Sequence, residues 1–480
     1  MRPDNYPEEP RHLWEHFYQI SQIPRPSGEE AAMRQYIIDQ AKSGGQSWRI
    51  DDAGNLVVFV AATEEMKERE PVIVQNHLDM VAVKTSDKEH DFHTDPLTLQ
   101  ITDGWLGADR TTLGADNGLG CAAALALMTD SSIAHPPLEL LFTVDEETGL
   151  GGALNLDATM MSGSRMLNLD TEDWNELYIG CAGGGGWEFE KSYTTNVFDG
   201  SREIWRVSLI GLAGGHSGVQ IHEQLGNAIK MLGQCLHAFD GAQLISLEAG
   251  VAHNVIPREG NLVFACAAGQ EFLLADILRD LRAAWLEYLP PVDCGLELSL
   301  HRDMAERALS VEDTAEIADL IALFPHGAQS YNLQRPADLV DLSINLAGLR
   351  IEEGNLWLES SFRFFNPTQS QPLQQSVEAI ARRFGLAITP GGGYPGWDPD
   401  FDSALLARGS ALHERLFGTA PAIKAIHAGL ECGILKSKKP TIDILSFGPT
   451  IRGAHSPAER LHIETVPPFW QFLTELLIEM

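Results

Sequence analysis

LLFTVDEETGL, residues 140–150, combines the pattern of a buried strand with a cluster of acidic side chains. Its apolar start has the length of a strand and is followed by Asp145, Glu146 and Glu147. Gly149 then breaks the pattern. Because adjacent side chains on extended backbone point to opposite sides, two neighbouring carboxylates can do different jobs, one holding a cation and one handling a proton. A lone Glu-Glu pair after a strand is usually an ordinary surface pair, so the rest of the chain decides its meaning.

Other predicted strands of the same part of the chain also end in polar side chains. PVIVQNHLDMV, residues 71–81, predicts a buried strand with His77 and Asp79 just past its apolar part, and RMLNLDTED, residues 165–173, predicts another that ends at Asp170. These strands alternate with helical segments, which is the pattern of an α/β fold with a mostly parallel sheet covered on both faces. Ligands of such sheets bind beyond the carboxyl ends of the strands, so the pattern predicts a site there.

Composition argues against two classes of partner. The chain has 480 residues, of which 44% are hydrophobic and 21% charged, so we expect a globular protein with at least two domains. It carries 34 basic and 67 acidic residues, a formal charge of -33. Such a surface repels nucleic acid and anionic lipid, so we expect neither nucleic acid nor a membrane as a partner.

The spacing of the cysteines and the sequence of the first ten residues indicate the cellular compartment of the protein. The six cysteines show no C-x-x-C spacing, which argues against a structural zinc knuckle. In a chain of this size they are most simply reduced and mostly buried thiols. MRPDNYPEEP, residues 1–10, lacks the apolar core of a signal peptide, and no apolar run has the length of a membrane span. We therefore expect a cytoplasmic protein.

Glycine runs predict the domain organisation. Gly183–Gly186 and Gly391–Gly393 bracket a long segment in which the strand and helix pattern changes. We predict a discontinuous catalytic, metal-binding domain of residues 1–186 and 391–480, and an inserted α+β lid domain of residues 187–390. The flexible glycine backbone at both connections would permit hinge motion.

Local signals also predict helix starts. Ser27–Glu30 and Ser456–Glu459 have the form of capping boxes, and the second places His455 on a loop just before a helix. Asp116 or Asn117 is suited to cap the helix that follows LGADNGLG, residues 113–120. Glu431 lies four positions after His427, so the pair reads as one face of a helix surface and stays outside the predicted metal site.

The remaining polar residues form a candidate set of metal ligands. Two imidazoles and three carboxylates suit zinc, or manganese or cobalt, and they exceed what one catalytic zinc takes. If one carboxylate bridges, they suit two ions. Asp79 can accept the other ring N–H of His77 and fix its tautomer, and Glu146 stays unassigned. Each residue alone is a weak signal. The candidate ligands are His77, Asp116, Glu147, Asp170 and His455.

Jointly, the motifs resemble the M20 family of di-zinc metallopeptidases. The resemblance covers essentially the full length, including the long insert, and is greatest to the branch that cleaves Xaa-His dipeptides. The motifs that carry it are HLDMV (77–81), LGADNGLG (113–120), DEETGLGGA (145–153), NLD (168–170), GGHSG (214–218), NVIP (254–257) and GAHSP (453–457).

The resemblance implies a role for each ligand. Asp116 would bridge two ions, most simply zinc. Glu147 and His455 would complete one site, and His77 and Asp170 the other. The family also has a cis peptide after its bridging aspartate, which here would join Asp116 to Asn117.

The resemblance also implies a reaction. Glu146 would act as the general base for attack of a metal-bridging water on the peptide carbonyl, and Asp79 would be the partner of His77. His216 would donate to the developing oxyanion. Asn254 and Arg363 would anchor the carbonyl or carboxylate of the substrate, since arginine can grip a carboxylate with two parallel hydrogen bonds.

The implied function is a cytosolic metallodipeptidase for dipeptides with a free N-terminus, preferentially Xaa-His. An aminoacylase or a tripeptidase on the same scaffold is the alternative, and a non-catalytic metal-binding or scaffolding protein is a third hypothesis. Lids of this family commonly mediate dimerisation, so a homodimer is expected. A doubled lid of this length could instead replace the partner and leave a monomer.

Overall fold

The computed structural model describes residues 2–197, 201–332 and 339–480. The chain divides into two compact units. The first unit comprises Met1–Cys181, Trp397–Ala425 and Leu430–Met480. The second unit comprises Ala182–Gly396 and Ile426–Gly429. We predicted changes of domain after residues 186 and 390, whereas the compact units change after residues 181 and 396, and no sequence signal indicated the short return at residues 426–429.

The described helices, in chain order, are α1 Arg11–Ser21, α2 Ala31–Ser43, α3 Ala115–Thr129, α4 Gly151–Asn155, α5 Ala228–Ala238, α6 Glu271–Leu286, α7 Val311–Leu323, α8 Pro367–Phe384, α9 Ala404–Phe417, α10 Glu431–Lys438 and α11 Val466–Glu479.

The described strands are β1 Ser47–Ile50, β2 Leu56–Val60, β3 Val72–His77, β4 Leu99–Thr102, β5 Trp105–Ala108, β6 Leu138–Thr143, β7 Arg165–Asn168, β8 Glu176–Cys181, β9 Gly183–Ser192, β10 Asn196–Val197, β11 Arg202–Ile210, β12 Gly215–His216, β13 Gln243–Ala249, β14 Val255–Ile256, β15 Gly260–Ala267, β16 Glu297–Arg302, β17 Arg307–Ala308, β18 Gly327–Tyr331, β19 Val340–Glu352, β20 Asn355–Phe364, β21 Ala387–Pro390, β22 Ala422–Ile426, β23 Asp443–Ser446, β24 Ile451–Arg452 and β25 Arg460–His462.

An eight-stranded sheet forms the centre of the first unit. Its order is β1-β2-β6-β3-β7-β23-β8-β22, and its central strands β6, β3, β7 and β23 are parallel. Every residue of β3 and β6 is buried, as expected for parallel strands covered on both faces. The α/β fold with a mostly parallel sheet is confirmed, and β23 shows that the end of the chain returns to this sheet.

Helix α3 packs on β3 and on α1, and it is buried nearly all round. Its sequence is rich in alanine and leucine on every face, which is the composition of a helix without a solvent side. Farther along the chain, α9 packs on β23 and on α11. Among the described residues, no helix combines the length and the apolarity that a crossing of the bilayer requires.

The second unit contains a nine-stranded sheet that packs against helices. Its main order is β16-β11-β15-β13-β19-β20-β9-β21, with β18 paired to β19, and its strand pairs are antiparallel. Its core joins the sheet to helices such as α5 and α7 through residues including Leu232, Ile321 and Phe264. This arrangement is of the α+β type.

The first glycine run is part of strand β9 rather than a loose connection. Gly184 exchanges two backbone hydrogen bonds with Tyr394, and the N–H of Gly391 donates to the C=O of Gly186. A side chain would not fit here, because a Cβ at Gly186 would lie 2.8 Å from the C=O oxygen of Ser360. The glycines therefore permit close backbone approach between the two connections.

Two predicted helix starts are wrong. Ser456–Glu459 forms a turn that leads directly into β25, and the Glu459 side chain bonds to a distant loop instead. Helix α2 begins at Ala31, and the hydroxyl of Ser27 donates to Asp79 rather than capping it. In both cases a polar partner distant in sequence competes successfully with the local cap.

Candidate metal centre

Parallel pairing brings the predicted strand ends to one edge of the sheet. His77 is the last residue of β3 and lies opposite Thr143, the last residue of β6. On its other side β3 pairs with β7, which ends two residues before Asp170. Glu147 follows β6 in a turn. The backbone at Glu146 and Glu147 is therefore not the extended strand that the sequence suggested. The turn, rather than alternation along a strand, sets the directions of the two side chains.

Asp116 lies between the two histidines. Its Oδ1 is 3.0 Å from Nε2 of His77, and its Oδ2 is 3.3 Å from Nε2 of His455. Nε2 of His77 is also 3.3 Å from Oδ1 of Asp170. Nε2 of His455 is 3.0 Å from Oε2 of Glu147. Three groups of possible ligands occur among the described residues, each with its ligand atoms within 4.8 Å of one another; two of them consist only of predicted ligands and share Asp116.

The carboxylate of Asp79 connects one ligand to the glutamate turn. Its Oδ1 is 3.3 Å from Nδ1 of His77 and accepts a 3.1 Å hydrogen bond from the N–H of Glu146. Its Oδ2 accepts from the N–H of Glu147 and from the hydroxyl of Ser27, at 3.1 and 2.7 Å. Asp79 is fully buried, so its hydrogen bonds to the turn and its ion-pair contact with Nδ1 hold His77 and the turn relative to each other.

Asn117 holds a second ligand. The peptide bond between Asp116 and Asn117 is cis, and these two residues depart from helical geometry at the start of α3. The side-chain amide of Asn117 donates to the C=O of Leu169 at 2.7 Å and to Oδ1 of Asp170 at 2.5 Å. Asn117 therefore orients a ligand, whereas the sequence predicted a helix cap here.

Neighbouring carboxylates raise the pKa of both histidines at this centre. Burial by itself lowers the pKa of His77, but the carboxylates of Asp170, Asp116 and Asp79 together raise it well above its usual value. Hydrogen bonds to Asp116 and Glu147 raise the pKa of His455 to about 11.

Burial and nearby carboxylates also raise the pKa of acidic residues at this centre. Burial raises the pKa of Asp170 to about 6, and Asp116 and Glu147 contribute in the same direction against His77. Burial also raises the pKa of Glu146 well above its ordinary value. The site therefore brings several carboxylates together, and nearby positive charge would offset their mutual repulsion.

The donor set fits divalent cations. Nε2 of His77 and Nε2 of His455 each lie close to carboxylate oxygens. Each imidazole nitrogen and the carboxylates beside it could therefore bind one cation together. Oε1 of Glu147 is buried without a hydrogen-bond partner among the described residues. A buried carboxylate oxygen is costly unless something binds it, and cations are the natural partners of such a set. His455 adopts a left-handed backbone conformation, φ 61°, which is uncommon for a residue other than glycine and is found at functional sites.

In the second unit, the structure brings the predicted substrate residues His216, Asn254 and Arg363 into one region. The N–H of Ser217 donates to the C=O of Asn254 at 2.8 Å. A Cβ at Gly218 would lie 2.8 Å from Nε of Arg363, so that side chain packs against the same turn. Tyr394, which the sequence did not indicate, accepts a 2.8 Å hydrogen bond from Nη1 of Arg363.

His216 has a defined tautomer. Its Nδ1 accepts from the N–H groups of Gly218 and Val219, at 3.2 and 3.1 Å. The proton of the neutral ring therefore lies on Nε2, which is a hydrogen-bond donor.

The prediction that His427 and Glu431 form a helix-surface pair is wrong. Helix α10 begins only at Glu431, and His427 belongs to the second unit, where its Nε2 lies 2.8 Å from the hydroxyl of Ser343. Glu431 is fully buried and accepts 2.6 Å hydrogen bonds from Gln75 and Thr143. Burial raises the pKa of Glu431 to about 8. Strand β22 ends at Ile426, and residues 427–430 form a bend rather than the predicted helical turn.

Comparison with known proteins defines the class. Peptidase family M20/M25/M40 matches residues 73–479, and the chain belongs to this family. It is therefore a metal-dependent peptide hydrolase.

Two relatives resemble the chain over nearly its full length. Cytosol non-specific dipeptidase of Escherichia coli strain K12 is 35% identical over 475 residues, which cover 98% of each chain. The crystal structure of aminoacylhistidine dipeptidase from Vibrio alginolyticus has a TM-score of 0.87 and 34% identity, covering 98% of this chain and 97% of that one. Aminopeptidase PepT from Bacillus cereus shares the fold, with a TM-score of 0.55 at 14% identity.

Proposed function

We propose that the protein hydrolyses dipeptides with a free N-terminus, preferentially Xaa-His, and that the candidate metal centre is its active site. The observation that carries this proposal is the pair of overlapping ligand groups that share Asp116. The names of both full-length relatives, a non-specific dipeptidase and an aminoacylhistidine dipeptidase, support the substrate class.

We assign two divalent cations to this centre, most simply zinc and otherwise manganese or cobalt. Asp116 would contribute to both positions. His77 and Asp170 would complete one position, and Glu147 and His455 the other, as their contacts to Asp116 or to each other suggest. When bound, such a pair of ions supplies a water of lowered pKa and a Lewis acid for the carbonyl oxygen.

Glu146 is the proposed general base. Its N–H is held by Asp79, which places its carboxylate beside Glu147 and near His77. A buried carboxylate with a raised pKa can accept a proton from the attacking water and deliver it to the departing amine. Asp79 acts by orientation, since it holds Nδ1 of His77 and the backbone of the glutamate turn together.

We propose that the second unit is the lid and that it binds the substrate. The Nε2–H of His216 is the donor that a developing oxyanion requires. Arg363 and Asn254 would bind the carboxylate or carbonyl of the substrate. The hydrogen bond between Arg363 and Tyr394 supports this role, because it limits the conformations of the guanidinium.

We also propose a cytoplasmic location and a homodimer formed through the second unit. The word "cytosol" in the name of the Escherichia coli relative supports the location. The dimer rests on the family resemblance. Sedimentation equilibrium would separate the dimer from the alternative, a monomer with a doubled lid.

A substrate panel tests the proposed function. Xaa-His dipeptides, other dipeptides, tripeptides and N-acetyl amino acids are assayed with zinc, manganese or cobalt, and again with a chelator. We expect chelator-sensitive hydrolysis that is fastest for Xaa-His. Faster turnover of N-acetyl amino acids or tripeptides would favour the aminoacylase or tripeptidase alternative, and no hydrolysis with any metal would favour a binding role.

A further inference from the structure

The loop that carries Asp116 donates its backbone N–H groups to one buried carboxylate. Oε2 of Glu459 accepts from the N–H groups of Leu113 and Gly114, at 2.7 and 2.9 Å. Its Oε1 accepts from those of Ala115 and Asp116, at 2.8 and 3.4 Å. Glu459 is only 4% exposed, and it caps the start of α3 from a segment more than 340 residues away.

The same loop accepts a hydrogen bond from a buried cation. Nη2 of Arg25 donates to the C=O of Gly114 at 2.5 Å, and Nη1 donates to the C=O groups of Leu78 and Asp79, at 2.9 and 2.6 Å. Arg25 is 2% exposed. Its guanidinium therefore joins the Asp116 loop to the turn that follows His77.

Glycines make room for this guanidinium. A Cβ at Gly114 would lie 2.5 Å from Nη2 of Arg25, and one at Gly118 would lie 2.6 Å from it. Gly114 also has a left-handed backbone conformation, φ 66°, that favours glycine. These contacts give a physical reason for both glycines in the LGADNG motif.

Strand pairing explains how Glu459 reaches this loop. Strand β25 begins at Arg460 and pairs with β5, with Arg460 opposite Gly107. The segment before β25 therefore runs beside the chain that leaves β5 and leads to Asp116. Glu459 is also four residues beyond His455, so one short segment carries both a ligand and the carboxylate that holds another ligand.

Charge-assisted hydrogen bonds are stronger than neutral ones, and removing one partner of a buried ion is costly. A carboxylate on the N–H side and a guanidinium on the C=O side therefore restrict the loop from both sides. Asp116 needs this restriction, because its two oxygens face two different histidines. A small shift of the loop would spoil one contact or both.

We propose that Glu459 and Arg25 are positioning residues that hold Asp116 in the geometry required to bind two cations. This inference rests on the proposed metal centre. Neither side chain reaches the cations or the substrate in this role; each acts through the backbone of residues 113–116.

Zinc affinity tests the role of Glu459. In Glu459→Gln the amide oxygen can replace only one carboxylate oxygen, and the amide N–H₂ then faces backbone donors. We expect zinc affinity, measured by competition with a chromophoric chelator, to fall by about 10–100-fold. Apo stability is measured in parallel by urea denaturation.

Glu139→Gln is the matched control. Glu139 is also a buried carboxylate of the first unit, and it accepts hydrogen bonds from the N–H groups of Ser162 and Gly163. It lies near the amino end of β6, the end opposite to the predicted ligands. We expect this variant to lose apo stability and to keep wild-type zinc affinity. Glu459→Gln with unchanged zinc affinity would overturn the positioning role, whatever its stability.

Arg25→Lys provides an independent test if Glu459→Gln does not fold. Lysine keeps the charge, but one ammonium group cannot reproduce the forked guanidinium that reaches carbonyl groups of both segments. We expect zinc affinity to fall by about 10-fold and the stabilisation of the fold by added zinc to shrink. Unchanged affinity in this variant would overturn the role of Arg25.

Zinc binding and dipeptide hydrolysis by the wild-type protein distinguish this inference from the proposed function. Binding of two zinc ions without hydrolysis of any dipeptide would contradict the function and leave the positioning proposal in place. Failure of the wild type to bind two ions would contradict both. Normal dipeptidase activity with normal zinc affinity in both variants would contradict only the positioning proposal.

Discussion

Glu146 and Glu147 are neighbours in the chain, yet their surroundings differ. Oε2 of Glu147 lies 3.0 Å from His455, whereas the environment of Glu146 raises its pKa through burial and the charges of Asp170 and Glu147. We expect Glu146→Gln to lower kcat by about 10²–10⁴-fold and to retain both metal ions, because a proton acceptor is lost and the proposed ligands stay. Steady-state kinetics and metal analysis of the same sample measure both.

Asp145→Asn is the control for a charge change in this turn. The Asp145 carboxylate bonds to the hydroxyl of Thr148 and is outside the ligand groups. We expect kcat to stay within a few-fold of wild type. Retained turnover in Glu146→Gln would refute the assignment of the base, and loss of metal would instead make Glu146 a ligand.

Glu431 gives a prediction about stability. Replacing it with alanine removes the nearer of two acceptors of the buried Gln75 amide, removes an acceptor of the Thr143 hydroxyl and creates a cavity. We expect the free energy of unfolding of the metal-free protein to fall by about 2–4 kcal/mol. Glu431→Gln keeps an acceptor oxygen in the same volume and should lose less than half of that. Equal losses in the two variants would show that the hydrogen bonds do not matter.

Helices α1, α2 and α3 meet at a buried histidine. Nδ1 of His16 lies 2.9 Å from the hydroxyl of Tyr36, and its Nε2 lies 2.9 Å from that of Thr129. Burial lowers the pKa of His16 to about 4, below its ordinary value of 6.5. The unfolded chain therefore binds a proton more readily than the fold between these two values.

It follows that this contact stabilises the fold fully above about pH 6.5 and progressively less as the pH falls toward 4. We expect His16→Gln to reduce the dependence of unfolding free energy on pH in this window by up to about 1.4 kcal/mol per pH unit. Urea denaturation across the window measures it, with His301→Gln, at an exposed position of β16, as the control for the substitution. An identical pH dependence in wild type and His16→Gln would contradict the assignment.

The sequence predicted the elements whose signals are local. Strands β3, β6 and β7 were recognisable from their apolar runs, and the rule for parallel sheets then placed polar residues at their carboxyl ends. Residues whose partners are distant in sequence were not predictable. Glu459 looked like a cap of its own helix, and Glu431 looked like a surface acid, because their acceptor roles depend on residues hundreds of positions away.

Both ligand groups belong to the first unit, which has a consequence for the complete chain. A cation that binds only the folded first unit stabilises it by about 4 kcal/mol at a concentration one thousand times its Kd. We expect added zinc to raise the melting temperature of the first unit and to leave that of the second unit unchanged. Calorimetry with and without a chelator measures it, and a shift of the second unit alone would contradict this placement.

Anomalous X-ray diffraction at the zinc absorption edge, on crystals grown with zinc, tests the shared role of Asp116 directly. We predict two peaks that flank its carboxylate, one coordinated by His77 and Asp170 and the other by His455 and Glu147. A single peak, or peaks away from Asp116, would contradict the two-cation centre.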